Sequence, residues 1–396
     1  MIHLFMNALA ASAGGGLTYV RNVIPQIAAR NDVVATVLLD RGLRRELATP
    51  PNVNLLEWEG SSWPALRFWQ EQGVVRKLAL SSGAGVLLAA GNFAVRNSPL
   101  PQILLSRNSL YTSRDFECDL RSRGEYRLWL DTRLKAEFAR WSIQVADRVV
   151  APSQSFADEL QRWTGKPVSA IHHGFDRDTF LRDPSPLPDP VLRKLASPGN
   201  AFRILFVSHY NYYRNFETLI RALPSIRREL APRPVRLFLT CKLVPGANPG
   251  AYRTEQAAAL VRQLKLSEEV VELDSVPYLL LHRVYGSADV YVTPAYAESF
   301  AHPLVEALSS GLPVVASDIA VHREICGAAA VYFPRFSADE LAQRVVAVAG
   351  SSGLAGRLAQ AGIERAAAFS WKLHLDQILS LASELVRKVD GAETRR

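Results

Sequence analysis

Two glutamates eight positions apart, Glu298 and Glu306, stand in the run Ala297-Glu-Ser-Phe-Ala-His-Pro-Leu-Val-Glu-Ala-Leu-Ser-Ser-Gly-Leu-Pro313. An ionised carboxylate accepts hydrogen bonds only, so each can hold a pair of adjacent hydroxyl groups. Pro303 followed by Leu304, Val305, Ala307 and Leu308 and then by Gly311 predicts a short helix, with proline in its opening turn and glycine just past its end. This spacing puts Glu306 in the first turn. The amides of Phe300, Ala301 and His302 crowd the helix start, where unpaired N–H groups and the positive end of the dipole attract anions. Carboxylates beside an anion-binding helix start suit a phosphate flanked by hydroxyls, as in a nucleotide sugar. The same spacing also fits a solvated surface helix that carries two acids.

The elements that must position these residues follow from length and pattern. A chain of 396 residues predicts two domains. Residues 1–183 alternate apolar strands (Ile2–Met6, Val33–Leu38, Gly85–Ala90, Gln102–Leu105, Arg148–Ala151, Val168–His172) with helical stretches near 17–29 and 126–146. That alternation implies a parallel sheet covered on both faces. Residues 184–200, with five prolines, read as a linker. The pattern restarts at Arg203–Val207 and runs through residue 369 as a second doubly wound unit, and residues 370–396 form an amphipathic last helix. Two such α/β domains place a ligand at the strand ends.

Composition narrows the function classes. The formal net charge of +8 suits nucleoside diphosphates and equally an anionic surface. Cys118, Cys241 and Cys326 are too scattered for a disulfide framework or a zinc site, and a reducing cytoplasm is the expected compartment. The opening apolar residues lack a preceding Lys or Arg and lead into Gly14-Gly15-Gly16, so they read as a buried strand and its loop, not a leader. That loop lacks the third glycine of GxGxxG, which disfavours NAD binding. Leu78–Val95 is uncharged, but its glycines, serines and asparagine make a membrane-spanning helix a poor reading.

The block from Glu298 to Glu306, with Gly311-Leu-Pro-Val-Val-Ala-Ser-Asp318 after it, resembles the E-x7-E signature of retaining GT-B glycosyltransferases of family 4. The resemblance implies a GT-B fold, an N-terminal acceptor-binding domain (1–183), a nucleotide-sugar-binding domain (201–369) and a last helix crossing back to the first. It implies donor contacts along Glu298, Ser299, Phe300, Ala301, His302, Pro303, Leu304 and Glu306, with Glu298 on sugar hydroxyls, Glu306 on the ribose and His302 near the sugar or phosphate. Arg203-Ile-Leu-Phe-Val-Ser208-His209 and Arg214 resemble the family's diphosphate loop. Ser208 and His209 stand where Gly and Arg are usual, and Arg214 stands where Lys is usual. Guanidinium grips phosphate in a two-pronged way, so Arg214 is the expected phosphate ligand and, with Glu298 and His302, an expected catalytic residue.

Further positions follow from the same resemblance. Gly15 and Gly16 match the first loop, where glycine lets backbone approach the donor; a tight turn is the alternative. Val276 lies where backbone groups hold the nucleotide base. Lys242 is expected at the donor or in solvent. Ile171-His-His-Gly174-Phe-Asp176 matches an interdomain loop. The family's histidine after the fourth strand is replaced by Arg107-Asn108, which are expected on the acceptor side. His3 and His322 read as structural or surface residues. No second carboxylate has metal-ligand spacing with Asp318, so a metal-independent reaction is expected.

Residues 61–113 hold five basic residues against one acidic, with Trp63, Phe68 and Trp69 beside Arg67. Core aromatics with a basic rim and an interfacial membrane surface both fit; no nucleic-acid partner is expected. The combined reading is a retaining hexosyltransferase using a UDP- or GDP-sugar and a glycan or lipid-linked acceptor. The alternatives are a phosphorylase or epimerase of the same fold, or a nucleotide- or glycan-binding protein without efficient turnover.

Overall fold

The computed structural model describes residues 1–11, 14–61, 63–196, 199–250 and 252–393; residues 197–198 of the expected linker and 394–396 of the expected last helix lie outside the described residues. The chain forms two compact units. One comprises Met1–Thr112, Leu130–Gly174 and Ser370–Arg396, the other Ser113–Trp129 and Phe175–Phe369.

The first unit is a seven-stranded parallel sheet: β1 (Ile2–Asn7), β2 (Val33–Asp40), β3 (Val53–Trp58), β4 (Val86–Ala89), β5 (Gln102–Leu105), β6 (Arg148–Ala151) and β7 (Ser169–Ala170), in the order β3-β2-β1-β4-β5-β6-β7. Strand direction is uniform, as buried Val-Leu-Ile runs require when helices cover both faces. The unit's helices before the last are α1 (Gly14–Ala28), α2 (Arg41–Glu46), α3 (Pro64–Ser81), most of α5 (Tyr126–Val145) and α6 (Gln154–Thr164), while α4 (Arg114–Ser122) belongs to the second unit. Val75 and Ala79 of α3, Ile143 of α5 and Phe156 and Leu160 of α6 share one core on one sheet face.

The second unit holds a six-stranded parallel sheet: β8 (Phe202–Phe206), β9 (Val235–Leu239), β10 (Val270–Glu272), β11 (Val290–Thr293), β12 (Val314–Ser317) and β13 (Ala330–Phe333), in the order β10-β9-β8-β11-β12-β13. Its helices are α7 (Arg177–Leu181), α8 (Asp189–Ala196), α9 (Phe216–Glu229), α10 (Glu255–Gln263), α11 (Leu281–Tyr285), α12 (His302–Ser309), α13 (Ala320–Cys326), α14 (Ala338–Ala349) and α15 (Ser352–Ala366). The last helix, α16 (Trp371–Glu393), belongs to the first unit, where its Ile378, Leu379 and Ala382 share a core with Val20, Val23 and Ile27 of α1. In both sheets the strand order reverses beside the first strand, β1 or β8. That is where ligands of open α/β sheets bind, at the carboxyl ends.

Four expectations need correction. The proline-rich stretch 184–200 contains α8, because Pro190 sits in an opening turn, where a missing N–H costs nothing, and Val191 and Leu195 are buried. The units divide at Gly174, not at 183, because Phe180 of α7 packs on Tyr278 and Tyr285, with ring centroids 5.6 and 6.0 Å away. Ser113–Trp129 belongs to the second unit, although it lies within 1–183. Gly14–Gly16 open α1 and do not form a loop before it.

Candidate active site

The β8–α9 connection is built by hydrogen bonds that hold an irregular backbone. Ser208 N–H donates to Thr240 Oγ1 at 3.0 Å, and the Ser208 hydroxyl donates to the His209 carbonyl at 2.7 Å. A 3-10 turn, Tyr212–Arg214, then leads into Asn215, whose φ of 56° lies in the left-handed region that asparagine tolerates better than most residues. Its side-chain amide donates to the carbonyls of Pro294 at 3.0 Å and Arg335 at 2.8 Å, and its oxygen accepts from Thr218 Oγ1 at 2.8 Å. Asn215, which the sequence reading passed over, thereby ties the end of β8 to the segment after β11. That tie sets Arg214 against Glu298.

The two form a largely buried ion pair, Arg214 Nη1 on Glu298 Oε1, with the guanidinium 5.1 Å from the centre of the Tyr213 ring. Arg214 Nε is buried and has no protein partner. His209, close by, is held below the usual histidine pKa by burial and then by Arg214. It is therefore neutral at neutral pH and adds no permanent charge where the family's second basic residue is usual.

The predicted signature helix is α12, preceded by Ala301 at a φ of 67° and closed by Gly311 at 67°, which accepts that backbone without strain. Alanine there costs about 1–2 kcal/mol, a local strain that often accompanies functional loops. Glu306 is the fifth residue of α12, in its second turn and not its first. Its side chain is buried. Tyr285 O–H donates to Glu306 Oε2 at 2.9 Å, and the same hydroxyl lies 3.2 Å from the Pro303 carbonyl. Burial raises the carboxyl to a pKa of about 7, with the Tyr285 hydrogen bond opposing. The Phe300 ring lies 4.9 Å from His302 and 5.5 Å from Phe369, which fixes the turn before the helix. Ser299, Pro303 and Leu304 lie on the same stretch, and Leu304 N–H closes the turn on the Ala301 carbonyl at 3.0 Å.

Other expected residues have partners of their own or are buried. Lys242 forms an exposed ion pair with Asp274 at 2.5 Å, bridging the ends of β9 and β10, and Val276 is buried just beyond. Asp318 is gripped by both Nε and Nη2 of Arg323, at 2.5 and 2.7 Å. Among the described residues no group of three or more His, Cys, Asp or Glu side chains could hold a metal. His322 is fully buried, with Nδ1 3.0 Å from the Ser317 carbonyl, and burial lowers its pKa to about 4. His3 bonds Thr36 Oγ1 at 3.0 Å.

A network missed from sequence comes from Ser113–Trp129. Arg123 bridges Asp119 Oδ1 at 2.7 Å and Glu217 Oε1 at 3.1 Å, and its guanidinium stacks 4.3 Å from the Tyr212 ring centre. Tyr210 O–H donates to Glu217 at 2.8 Å, Tyr212 O–H to Glu125 at 2.7 Å and Tyr296 O–H to Asp119 at 2.7 Å. Arg335 pairs with Asp115 at 2.7 Å. Tyr212 and Tyr296, one from each loop that carries Arg214 or Glu298, are thus anchored on Glu125 and Asp119 of one segment. The available signal was its local capping pattern, Ser113 with Asp115 and Glu117 in the next turn, which marks a helix but not its partner.

In the first unit, Gly16 packs so closely that an added Cβ would lie 3.0 Å from Ala11 Cα, whereas one on Gly15 meets open space. Arg107 donates to the carbonyls of Gly15 (3.0 Å) and Ala90, and its own N–H donates to Asn92 Oδ1 at 2.6 Å. Burial lowers its pKa to about 10. Its guanidinium therefore holds backbone in place between the start of α1 and the end of β4. Asn108 accepts from Leu110 N–H at 3.1 Å and so caps a turn. Behind them Tyr19, His173, Trp371 and His374 form an aromatic cluster. His374 Nδ1 donates to the His172 carbonyl at 2.8 Å, so its Nε2, 3.1 Å from Tyr19 Oη, accepts the tyrosine proton.

Comparison with known proteins accords with this geometry. Residues 190–365 match the family described as Glycosyl transferases group 1, and residues 13–179 match Glycosyltransferase Family 4. A D-inositol 3-phosphate glycosyltransferase of Corynebacterium efficiens is 28% identical over 257 residues, covering 62% of this chain and 58% of that protein. The chain spans about half the length of the curated relatives it matches. Among solved structures, sucrose-phosphate synthase from Thermosynechococcus elongatus superposes with a TM-score of 0.77 at 18% identity, covering 99% of this chain and 100% of that one. Anabaena HepE in complex with UDP-glucose does so with 0.73 at 17%, covering 97% and 100%. These likenesses establish the GT-B fold.

Proposed function

Because the chain belongs to glycosyltransferase family 4, we propose that it moves a hexose, with retention and without a metal ion, from a UDP- or GDP-sugar to a glycan or lipid-linked acceptor. The observation that carries this reading is the Arg214–Glu298 pair at the end of the β8–α9 connection: a guanidinium with one nitrogen on Glu298 and its side chain still partly exposed. Such a group can take a diphosphate oxygen and keep its carboxylate, because it offers five donors in a fixed fork. As the glycosidic bond to the donor breaks, negative charge grows on the leaving diphosphate, and a preorganised guanidinium stabilises it there more than in water. In this reading Glu298, paired with the same guanidinium, accepts from sugar hydroxyls. Glu306, buried and held by Tyr285, suits ribose hydroxyls.

Neither carboxylate needs to act as a general base, since an oxygen of the leaving phosphate can take the acceptor proton on the same face of the sugar. This distinguishes the pair from hydrolase carboxylates, which work as acid and base or as nucleophile.

A second reading is favoured by one feature: His209 is neutral where a permanent charge is usual, which weakens the grip on a diphosphate and fits a nucleotide-binding protein with little turnover.

A melting-temperature and calorimetric screen of UDP, GDP, ADP, TDP and their sugars, with Mg²⁺ or with chelator, tests both readings. Binding to the folded state raises its melting temperature by mass action. The transferase reading expects one nucleotide sugar to bind in chelator, slow donor hydrolysis without acceptor, and loss of both in Arg214→Ala. Binding with no hydrolysis supports the second reading, and no binding at all overturns both.

A further inference from the structure

We infer that the outer face of α3 and α5 is a docking surface for an anionic lipid bilayer. On α5 the usual arrangement is inverted. The side turned to the sheet buries Ala136, Ala139, Ser142 and Ile143, while Leu130, Leu134 and Phe138, at a spacing of four residues and therefore on one stripe, face outward. On α3 the exposed side carries Leu66 and Trp69, with Trp63 exposed at the residue that precedes the helix. These six side chains are between 46% and 76% exposed. The helices are joined by Phe68, whose ring lies 5.5 Å from Phe138 and 5.5 Å from Trp69. Large apolar side chains collected on one face of two adjacent helices are uncommon on a surface that meets only water.

Charge selects the occupant. The exposed charged residues on this face of α3 are Arg76 and Lys77; Glu71 of the same helix is turned inward to accept from Asn7 at 2.9 Å. On α5, Arg133, Lys135 and Arg140 are exposed against Asp131 and Glu137, with Asp131 bound to Lys135 at 2.6 Å. Aromatic and aliphatic side chains fringed by Lys and Arg match the boundary between acyl chains and anionic headgroups. A second copy of the chain would set this basic face against itself across a two-fold axis, where like charges repel. A bilayer has no such conflict.

Position gives the surface a use. In a uniformly parallel sheet the helix after each strand starts at the carboxyl edge. Trp63 and the start of α3 therefore lie at the edge where Gly15 opens after β1. A bilayer on this face lies along the edge where the first unit would receive a lipid-carried acceptor. That consequence rests on the transferase reading, but the docking surface does not, and it is tested without nucleotide or sugar.

The experiment is flotation of the full chain with vesicles of equal parts phosphatidylglycerol and phosphatidylcholine, and with phosphatidylcholine alone, at low and high salt. Binding is expected to the anionic vesicles, to weaken with salt as screening shortens the reach of the charges, and to be lost in Trp69→Ser/Leu134→Ser. Arg76→Gln/Lys77→Gln is expected to weaken it on the order of tenfold. Both variants alter exposed positions and should melt with the wild type. As a measurement independent of refolding, brominated acyl chains should quench wild-type tryptophan fluorescence more than that of Trp63→Phe/Trp69→Phe. Equal binding to neutral vesicles, no loss in the apolar variant, or a wild type that ignores vesicles and self-associates until Trp69→Ser/Leu134→Ser makes it monomeric would each overturn the proposal.

Discussion

The two units share a parallel sheet whose order reverses beside the first strand, yet their strand-end connections are held by different chemistry. In the second unit the loops carrying Arg214 and Glu298 are fixed by ion pairs and tyrosine–carboxylate hydrogen bonds. In the first, the start of α1 at Gly15–Gly16 is fixed by close backbone packing, by one guanidinium donating to carbonyls and by a cluster of aromatic and histidine rings. A charged network tolerates adjustment when an anionic ligand arrives, because a guanidinium can share its donors. Packing at van der Waals contact does not. Substitutions should therefore damage folding in the first unit and rate in the second.

The sharpest break is at Gly174. An added Cβ there would lie 2.0 Å from Trp371 N, against backbone that cannot move aside. Gly174→Ala is expected to cost more than about 4 kcal/mol, seen as loss of the cooperative melting transition of the first unit. A melting curve like that of the wild type would show that α16 can shift, and the contrast between units would fail. On the other side, Arg214→Ala should leave most of the fold intact and lower turnover on the order of 10²-fold or more, because it removes charge stabilisation from the leaving group. Arg214→Lys should recover part of this, since lysine offers a point charge without the fork.

An intermediate case is Arg123, which touches no reacting group but bridges Asp119 and Glu217 beneath both loops. Arg123→Lys keeps a charge and loses the second bridge, so turnover should fall roughly tenfold, as one charge-assisted hydrogen bond is lost. Nucleotide affinity should fall with it, and Glu217→Gln should add little on top, because the two residues act through one contact. Additive losses in the double variant would show that the segment does not position the loops as a unit.

The contrast also explains what could be read from the chain. The ends of β5 and β6 fall where periodicity and turn residues put them, and the helix α12 carries Pro303 in its opening turn and stops before Gly311 as its proline and glycine predict. Three features were not legible for physical reasons. α8 lay hidden in a proline-rich stretch, since proline opens a helix as readily as it ends one. The partners of Asp115, Asp119 and Arg123 lie about a hundred residues away or more, or in loops whose approach no local pattern records. Arg107 was expected on the acceptor side, but its guanidinium is spent on the carbonyls of Gly15 in α1 and of Ala90, contacts set by tertiary packing alone.

The smallest expected effect is a pH dependence at Glu306. Burial raises its pKa in the folded protein to about 7, above the usual glutamate value of 4.5. A raised carboxyl binds its proton more tightly in the folded state than in the unfolded one. It therefore stabilises the fold fully below about 4.5, and that contribution is lost as pH rises through about 7. Glutamine is uncharged throughout, so the melting temperature of Glu306→Gln should gain on that of the wild type between these pH values. Turnover should show the opposite ordering. Below pH 7 the protonated acid and the amide each present an acceptor oxygen beside a donor group, so the two proteins should work alike. Above it the ionised wild type can accept from both ribose hydroxyls and should gain several-fold in kcat/KM over the variant, as two charge-assisted hydrogen bonds replace neutral ones. A ratio of the two proteins that stays flat from pH 5 to pH 8.5, in melting and in rate alike, would place the Glu306 carboxylate outside the nucleotide contact.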